Sequence, residues 1–415
     1  MRRALPLLLL FSLACASANP GPPPNLTRAA HALDDYDPLF RAIGTAHLVL
    51  LGEATHGTHE FYVERAQMTR RLIEEKQFTA LALEADWADA ARVDRYVRGT
   101  SDDRSAVEAL GGFTTFPRWM WRNREFAELV EWIRKHNDAL PPNAIKVGVY
   151  GLDLYGLEES REAILPHLQN VDPAFAERVR TMTPRLQVRT IHERAQRTKN
   201  KHELDDLFSA EQNARVVRNA EEFHREEKRG EVSTWNLRDR HMVATMAALQ
   251  NYLYQRNGHD NIVVWAHNSH VGDARATGRA RYGEWNMGQL VREHWPRGAS
   301  FTVGFSTNTG SVMAADVWGG EPNEKQLRPS LPGSHGDILH STGLPRFYLI
   351  LREVEAHAVR TPRQQRAVGV LYLPEHEKTA HYFAATLREQ FDAVVHIDET
   401  RAVEPLDVER AAAAR

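Results

Sequence analysis

Short apolar runs rich in β-branched residues recur along most of the chain, each bounded by polar residues or by Gly and Pro. They alternate with stretches whose apolar residues fall at helical spacing. Runs of this kind, apolar on both faces, predict buried parallel strands. They are placed at His47 to Glu53, Thr79 to Glu84, Ile145 to Leu154, Asn261 to His267, Ser300 to Ser306, Phe347 to Leu351, Val368 to Leu373 and Ala393 to Ile397. Strand and helix in alternation give an α/β class, a mostly parallel β-sheet flanked by helices on both faces.

The pattern changes between Glu158 and Arg256, where Glu, Arg, Lys and Gln dominate and no strand-like run appears. This predicts an inserted all-helical subdomain, residues 158–258, dividing an α/β core into 33–157 and 259–406. Charge runs such as Glu221 to Glu231 read as solvated helix faces. Asp316 to Ser341, rich in Gly and Pro, reads as a long loop, and loops of that length in a compact domain are often functional. Residues 19–32 read as a Pro-rich disordered linker and 407–415 as a disordered tail.

At the N-terminus, Arg2 and Arg3 precede an apolar run from Ala4 to Ala14 and then small residues, the plan of a secretory signal peptide over residues 1–18. The run is shorter than the roughly twenty residues that cross a bilayer, so a permanent transmembrane anchor is not expected. Ala16-Ser17-Ala18 offers one cleavage site. Leu13-Ala14-Cys15 offers another, a partial lipoprotein box that would place a lipid anchor on Cys15. The expected location is the periplasm, free or lipid-anchored to the envelope. Cys15 is the only cysteine, so the folded body has neither disulfides nor cysteine nucleophiles. Loss of Arg2 and Arg3 takes the formal charge from -3 to -5, which gives no electrostatic case for nucleic acid.

Ligands in open α/β sheets bind beyond the carboxyl ends of the strands. Four predicted strands end in polar groups: Gly52-Glu53-Ala54-Thr55-His56-Gly57-Thr58, Leu83-Glu84-Ala85-Asp86, Tyr150-Gly151-Leu152-Asp153 and Trp265-Ala266-His267-Asn268-Ser269-His270. Several carboxylates and histidines converging there form either an ion-paired network or a working site. No G-x-S-x-G elbow, P-loop or dinucleotide fingerprint appears. The histidines of His376-Glu377-Lys378-Thr379-Ala380-His381 are five apart, which misaligns them for a helical zinc motif. What remains is water activated by a neutral histidine, with Glu53 or Glu84 orienting its ring and a second histidine or an arginine steadying the oxyanion.

These segments, with Glu60-Phe61, Arg65, Asn236-Leu237-Arg238-Asp239, Met242, Met287-Gly288 and the tail around His396-Ile397-Asp398, resemble the erythromycin esterase family from about Leu33 to Leu406. The resemblance implies an esterase that opens a macrolactone by attack of water, without cofactor or covalent acyl-enzyme. His56 would be the general base, Glu53 and Glu84 its supporting carboxylates, and His267 a further catalytic group. Arg65, His270 and Asp153 would contact the substrate, a small-molecule ester or lactone. Two other readings stay open. Glu53, His56, Glu84 and His267 are acceptable ligands for zinc or manganese in a metal-dependent hydrolase. A periplasmic binding protein without turnover would use Trp87, Trp265, Trp285 and Trp318 as apolar walls.

Overall fold

The computed structural model describes residues 24–406. The expected signal segment, Cys15 and the tail beyond 406 lie outside them.

Nine strands form one sheet in the order β1-β8-β11-β6-β2-β5-β3-β4, with β7 paired to β6. These are β1 (His31–Ala32), β2 (Leu48–Leu51), β3 (Ala80–Asp86), β4 (Gly148–Asp153), β5 (Ile262–Trp265), β6 (Ser300–Ala314), β7 (Asn323–Leu327), β8 (Arg346–Ile350) and β11 (Ala393–Thr400). β9 (Arg363–Arg366) and β10 (Tyr382–Ala385) form a separate antiparallel pair. The six strands from β11 to β4 are mutually parallel, and β1, β7 and β8 are antiparallel additions.

Alternate side chains of the central strands enter two separate cores. Val49, Leu51, Leu81, Leu83, Val263 and Trp265 face one way, against Phe61 and Tyr62 of the helix His59–Lys76 and Phe126 and Leu129 of Arg124–Ala139. Leu48, Leu50, Ala80, Ala82, Ile262 and Val264 face the other way, against Phe208, Met242 and Leu249. Burial on both faces is why these strands read as continuous apolar runs.

Between β4 and β5 the chain is helical throughout, in Leu157–Val171, Pro173–Arg180, Pro184–Ala195, Lys201–Glu226 and Glu231–Asn257, with a short 3-10 turn before the last. Most of its buried apolar residues share one cluster with the second sheet face, while Ala220 and Leu237 form a smaller one with Leu154. The helix Glu231–Asn257 ends at Gly258, whose φ of 82° lets its N–H cap the Tyr254 carbonyl.

Four expectations need correction. Phe347–Leu351, expected as a parallel strand, is β8 and pairs antiparallel with both β11 and β1, because the chain enters it from the opposite end of the sheet. Val368–Leu373 is not a strand: it touches its neighbours only through isolated bridges, Val368 to Thr55 and Leu371 to Ala315. Asp316–Ser341 is not structureless, because Asn323–Leu327 folds back on β6 and His335–His340 is a short helix. Residues 24–32 are not a linker. Pro24–Ala29 is helical with Leu26 fully buried, and β1 pairs with β8.

Candidate active site

Strands β2, β5, β3 and β4 are consecutive in the sheet, so their carboxyl ends bring the four polar segments together. The turn after β2 is pinned from several sides. Gly52 N–H donates to the Val303 carbonyl (2.8 Å), Asn268 N–H to Glu53 (2.8 Å), Val368 N–H to Ala54 (2.9 Å) and Met313 N–H to Gly57 (3.0 Å). A Cβ on Gly57 would lie 2.1 Å from the Met313 carbonyl oxygen, so no larger residue fits.

This turn orders a relay. His56 Nδ1 lies 2.8 Å from Glu53 Oε1, while Arg65 Nη2 donates to Glu53 Oε2 at 2.6 Å. With Glu53 accepting on both oxygens, the His56 proton sits on Nδ1 and Nε2 offers its lone pair. Arg65 is fully buried, its guanidinium 4.5 Å from the ring centres of Tyr62 and Trp265. Expected at the substrate, Arg65 instead stands behind Glu53, away from the cavity wall.

Glu84, the other expected support for His56, belongs to a second network. Its Oε2 accepts the backbone N–H of His267 at 2.8 Å, and its Oε1 lies 2.8 Å from Arg238 Nη2 and 3.1 Å from His270 Nε2. Burial alone would raise the Glu84 pKa, but His270 and Arg238 outweigh it and hold the carboxyl well below its usual range. His270 Nδ1 faces both oxygens of Asp239, at 3.0 and 2.9 Å, and its ring stacks on Trp235 at 4.3 Å. Burial disfavours the imidazolium, yet Asp239 and Glu84 reverse the balance and push its pKa up to about 9. A carboxylate faces each ring nitrogen and favours the imidazolium, while Arg238 Nη1, 3.1 Å from Nε2, opposes it. Asp153 accepts from Arg238 at 2.5 and 3.0 Å, which ties the end of β4 to the same guanidinium.

His267 sits between the networks, its ring centre 4.8 Å from that of His56. Its Nδ1 accepts the Ser269 N–H (3.2 Å) and lies 2.8 Å from Ser269 Oγ, so in the neutral ring Nε2 bears the proton. That nitrogen is buried and makes no hydrogen bond of good geometry, the Ala54 carbonyl being the backbone group that favours the charged ring. Burial and then His56 push the His267 pKa well below its ordinary value.

His56, Glu84, Asp153, His267 and His270 line one cavity of about 880 Å³, of a size that takes a drug-sized ligand. Its aromatic wall is Phe113, Phe116, Trp121, Tyr155, Trp235 and Trp318. Of the four tryptophans expected there, only Trp318 lines it, whereas Trp87 and Trp265 are buried in the two cores. Arg238 and Asp239 carry no predicted role: their only signal in the sequence is the Asn236-Leu237-Arg238-Asp239 segment of the family resemblance, just beyond a charge run that reads as solvated.

The sequence profile of erythromycin esterases matches residues 73–400. The chain belongs to the erythromycin esterase family. Within it, the chain is 27% identical over 142 residues to erythromycin esterase type II of Escherichia coli, an alignment covering 34% of this chain and 31% of that one. The curated relative is therefore matched over less than a third of its length. Three solved structures share the fold, each covering 92% of this chain and 97% of the other. They are a protein from Bacillus cereus (TM-score 0.74, 22% identity), a succinoglycan biosynthesis protein (0.73, 21%) and a mutant of the erythromycin esterase EreC in its open conformation (0.58, 15%). Membership of the erythromycin esterase family relates the chain to esterase-type hydrolases. The matched span includes Glu84, Asp153, Arg238, His267 and His270 but begins after the His56 turn.

Proposed function

We propose that this erythromycin esterase family protein is a hydrolase of a carboxylic ester or lactone, acting outside the cytoplasm, with His56 as the base that activates water. The observation that carries the reading is the Arg65–Glu53–His56 relay ending at the wall of the cavity. Glu53 holds the Nδ1 proton, and Nε2 takes a proton from water. The hydroxide adds to the ester carbonyl carbon, and the tetrahedral oxyanion collapses with loss of the alkoxide. The alkoxide recovers the proton from the His56 imidazolium, so the cycle closes without a covalent intermediate. We assign stabilisation of the oxyanion to the ring N–H of His267. Glu84, Arg238, His270, Asp239 and Asp153 act as the charged frame that fixes the wall.

A metal-dependent version would draw on Glu53 and Glu84. The oxygens of both carboxylates are already engaged by Arg65, Arg238, His56, His270 and a backbone N–H, and this favours the metal-independent reading. A panel of esters and lactones, macrolides included, tests the proposal on protein purified without a polyhistidine tag. The expected result is turnover of at least one substrate, unchanged after chelator treatment. Binding across the panel without any turnover would point to a binding protein instead, and activity lost together with stoichiometric metal would establish the metal-dependent route.

A further inference from the structure

A second hollow, of about 540 Å³, opens between the helices His59–Lys76, Ala106–Ala109 and Arg124–Ala139, and it shares no lining residue with the strand-end cavity. Its apolar surface comes from Ala106, Val107, Ala127, Trp132 and Leu406. Ala106 and Ala127 belong to the first core, and Trp132 and Leu406 pack against it, so the apolar surface of the core continues here to solvent. Val107 ends that surface: it is 48% exposed, although the short helix that carries it buries both of its alanines.

The charged residues of this hollow are unequally satisfied. Arg124 pairs with Glu404 at 3.1 Å and Lys135 with Glu131 at 3.6 Å, while Glu131 also accepts the Tyr96 O–H at 2.7 Å. Arg70 lines the same hollow and has no carboxylate partner among the described residues. Its guanidinium lies 5.5 Å from the ring centre of Trp132, which itself stacks on His136 at 5.2 Å. The Arg70 Nε is buried and makes no hydrogen bond. A buried donor on a charged group is costly to leave without an acceptor, and an indole face supplies attraction but no counter-charge.

We infer that this hollow binds a small amphiphilic monocarboxylate, an aryl- or alkyl-substituted acid whose carboxylate pairs with Arg70 and whose apolar body lies against Trp132, Val107 and Leu406. A guanidinium and a carboxylate match in shape and charge, and their hydrogen bonds are about twice as strong as neutral ones. Glu128, exposed on the same wall, limits the charge of the ligand, because it repels a phosphate or any multiply charged anion more than a single carboxylate. The inference stands apart from the hydrolase reading, since no residue of the strand-end site takes part in it.

Isothermal titration of the full chain with 4-phenylbutyrate and with its uncharged amide tests this. The acid is expected to bind with a Kd on the order of 0.1 mM, about tenfold more tightly than the amide. Arg70→Gln is expected to bring the two affinities within about twofold of each other. Val107→Asp changes an exposed position and places a like charge beside the ligand, so it is expected to weaken the acid about tenfold; it carries the test if Arg70→Gln misfolds. No saturable binding of the acid, as when another segment of the chain already fills the hollow, would overturn the inference, and so would equal affinities of acid and amide. A preference that survives Arg70→Gln, or an acid affinity unmoved by Val107→Asp, would place the ligand elsewhere and overturn it too. Turnover enters none of these measurements, so failure to hydrolyse any ester counts against the function proposed above, while the titrations alone decide this inference.

Discussion

At His270 burial and charge act in opposite directions, and charge wins. Its pKa in the folded chain, about 9, lies above the ordinary 6.5. The stabilisation is therefore complete below about 6.5 and is lost as the pH rises through about 9. Glu84 has the opposite sign: its carboxyl is held below the ordinary value, so its contribution is present above that value and lost on acidification. Melting temperatures measured from pH 7 to 10 should fall through about 9, and His270→Asn should flatten that fall. Arg238 joins Glu84 to Asp153. Arg238→Ala leaves two buried carboxylates short of a cation, and a loss of about 3–5 kcal/mol in denaturant unfolding is expected. Glu53→Gln weakens the hold on the His56 Nδ1 proton, and kcat should drop with little change in KM. Of the site, the strand-end groups were legible because a polar residue closing an apolar run stands out. Which carboxylate serves which histidine was not: Glu53 and Glu84 follow similar strands, and only the position of Arg65 on one side and Arg238 on the other separates them.

The turn from Gly52 to Thr58 is the element on which the site depends. Its backbone is held by Asn268 beyond β5, by β6 and by the Val368 segment, and Gly57 has no room for a methyl group. Gly57→Ala should displace His56 and cost on the order of 100-fold in kcat/KM, together with a lower melting temperature. A variant that keeps full activity would show that the position of His56 is not critical. Most of the parallel strands could be placed from the sequence because burial on both faces makes them uniformly apolar. Val368–Leu373 is as apolar as they are, but it pairs only through single bridges, and local composition cannot tell a strand from a segment that merely clamps a turn. In the same way β7 has the composition of a loop, with Asn323, Glu324 and Lys325, and becomes a strand only because β6 runs beyond the sheet and offers an edge.

Over the whole molecule, the helices between β4 and β5 do two things at once. Most of their buried apolar residues close the second sheet face, and the helix Glu231–Asn257 carries Trp235, Arg238 and Asp239 to the strand ends. The chain thus places a charged frame from one layer against a histidine relay from another, with the cavity between them. No helix among the described residues is long and apolar enough to cross a membrane. The most direct test of the account is the hydrolysis rate of the best substrate from the ester and lactone panel, compared between the unmodified chain and His56→Ala. A base acting in the rate-limiting step predicts a fall of about 10²–10⁴-fold with the fold intact by circular dichroism. Equal rates for a folded His56→Ala protein would contradict it.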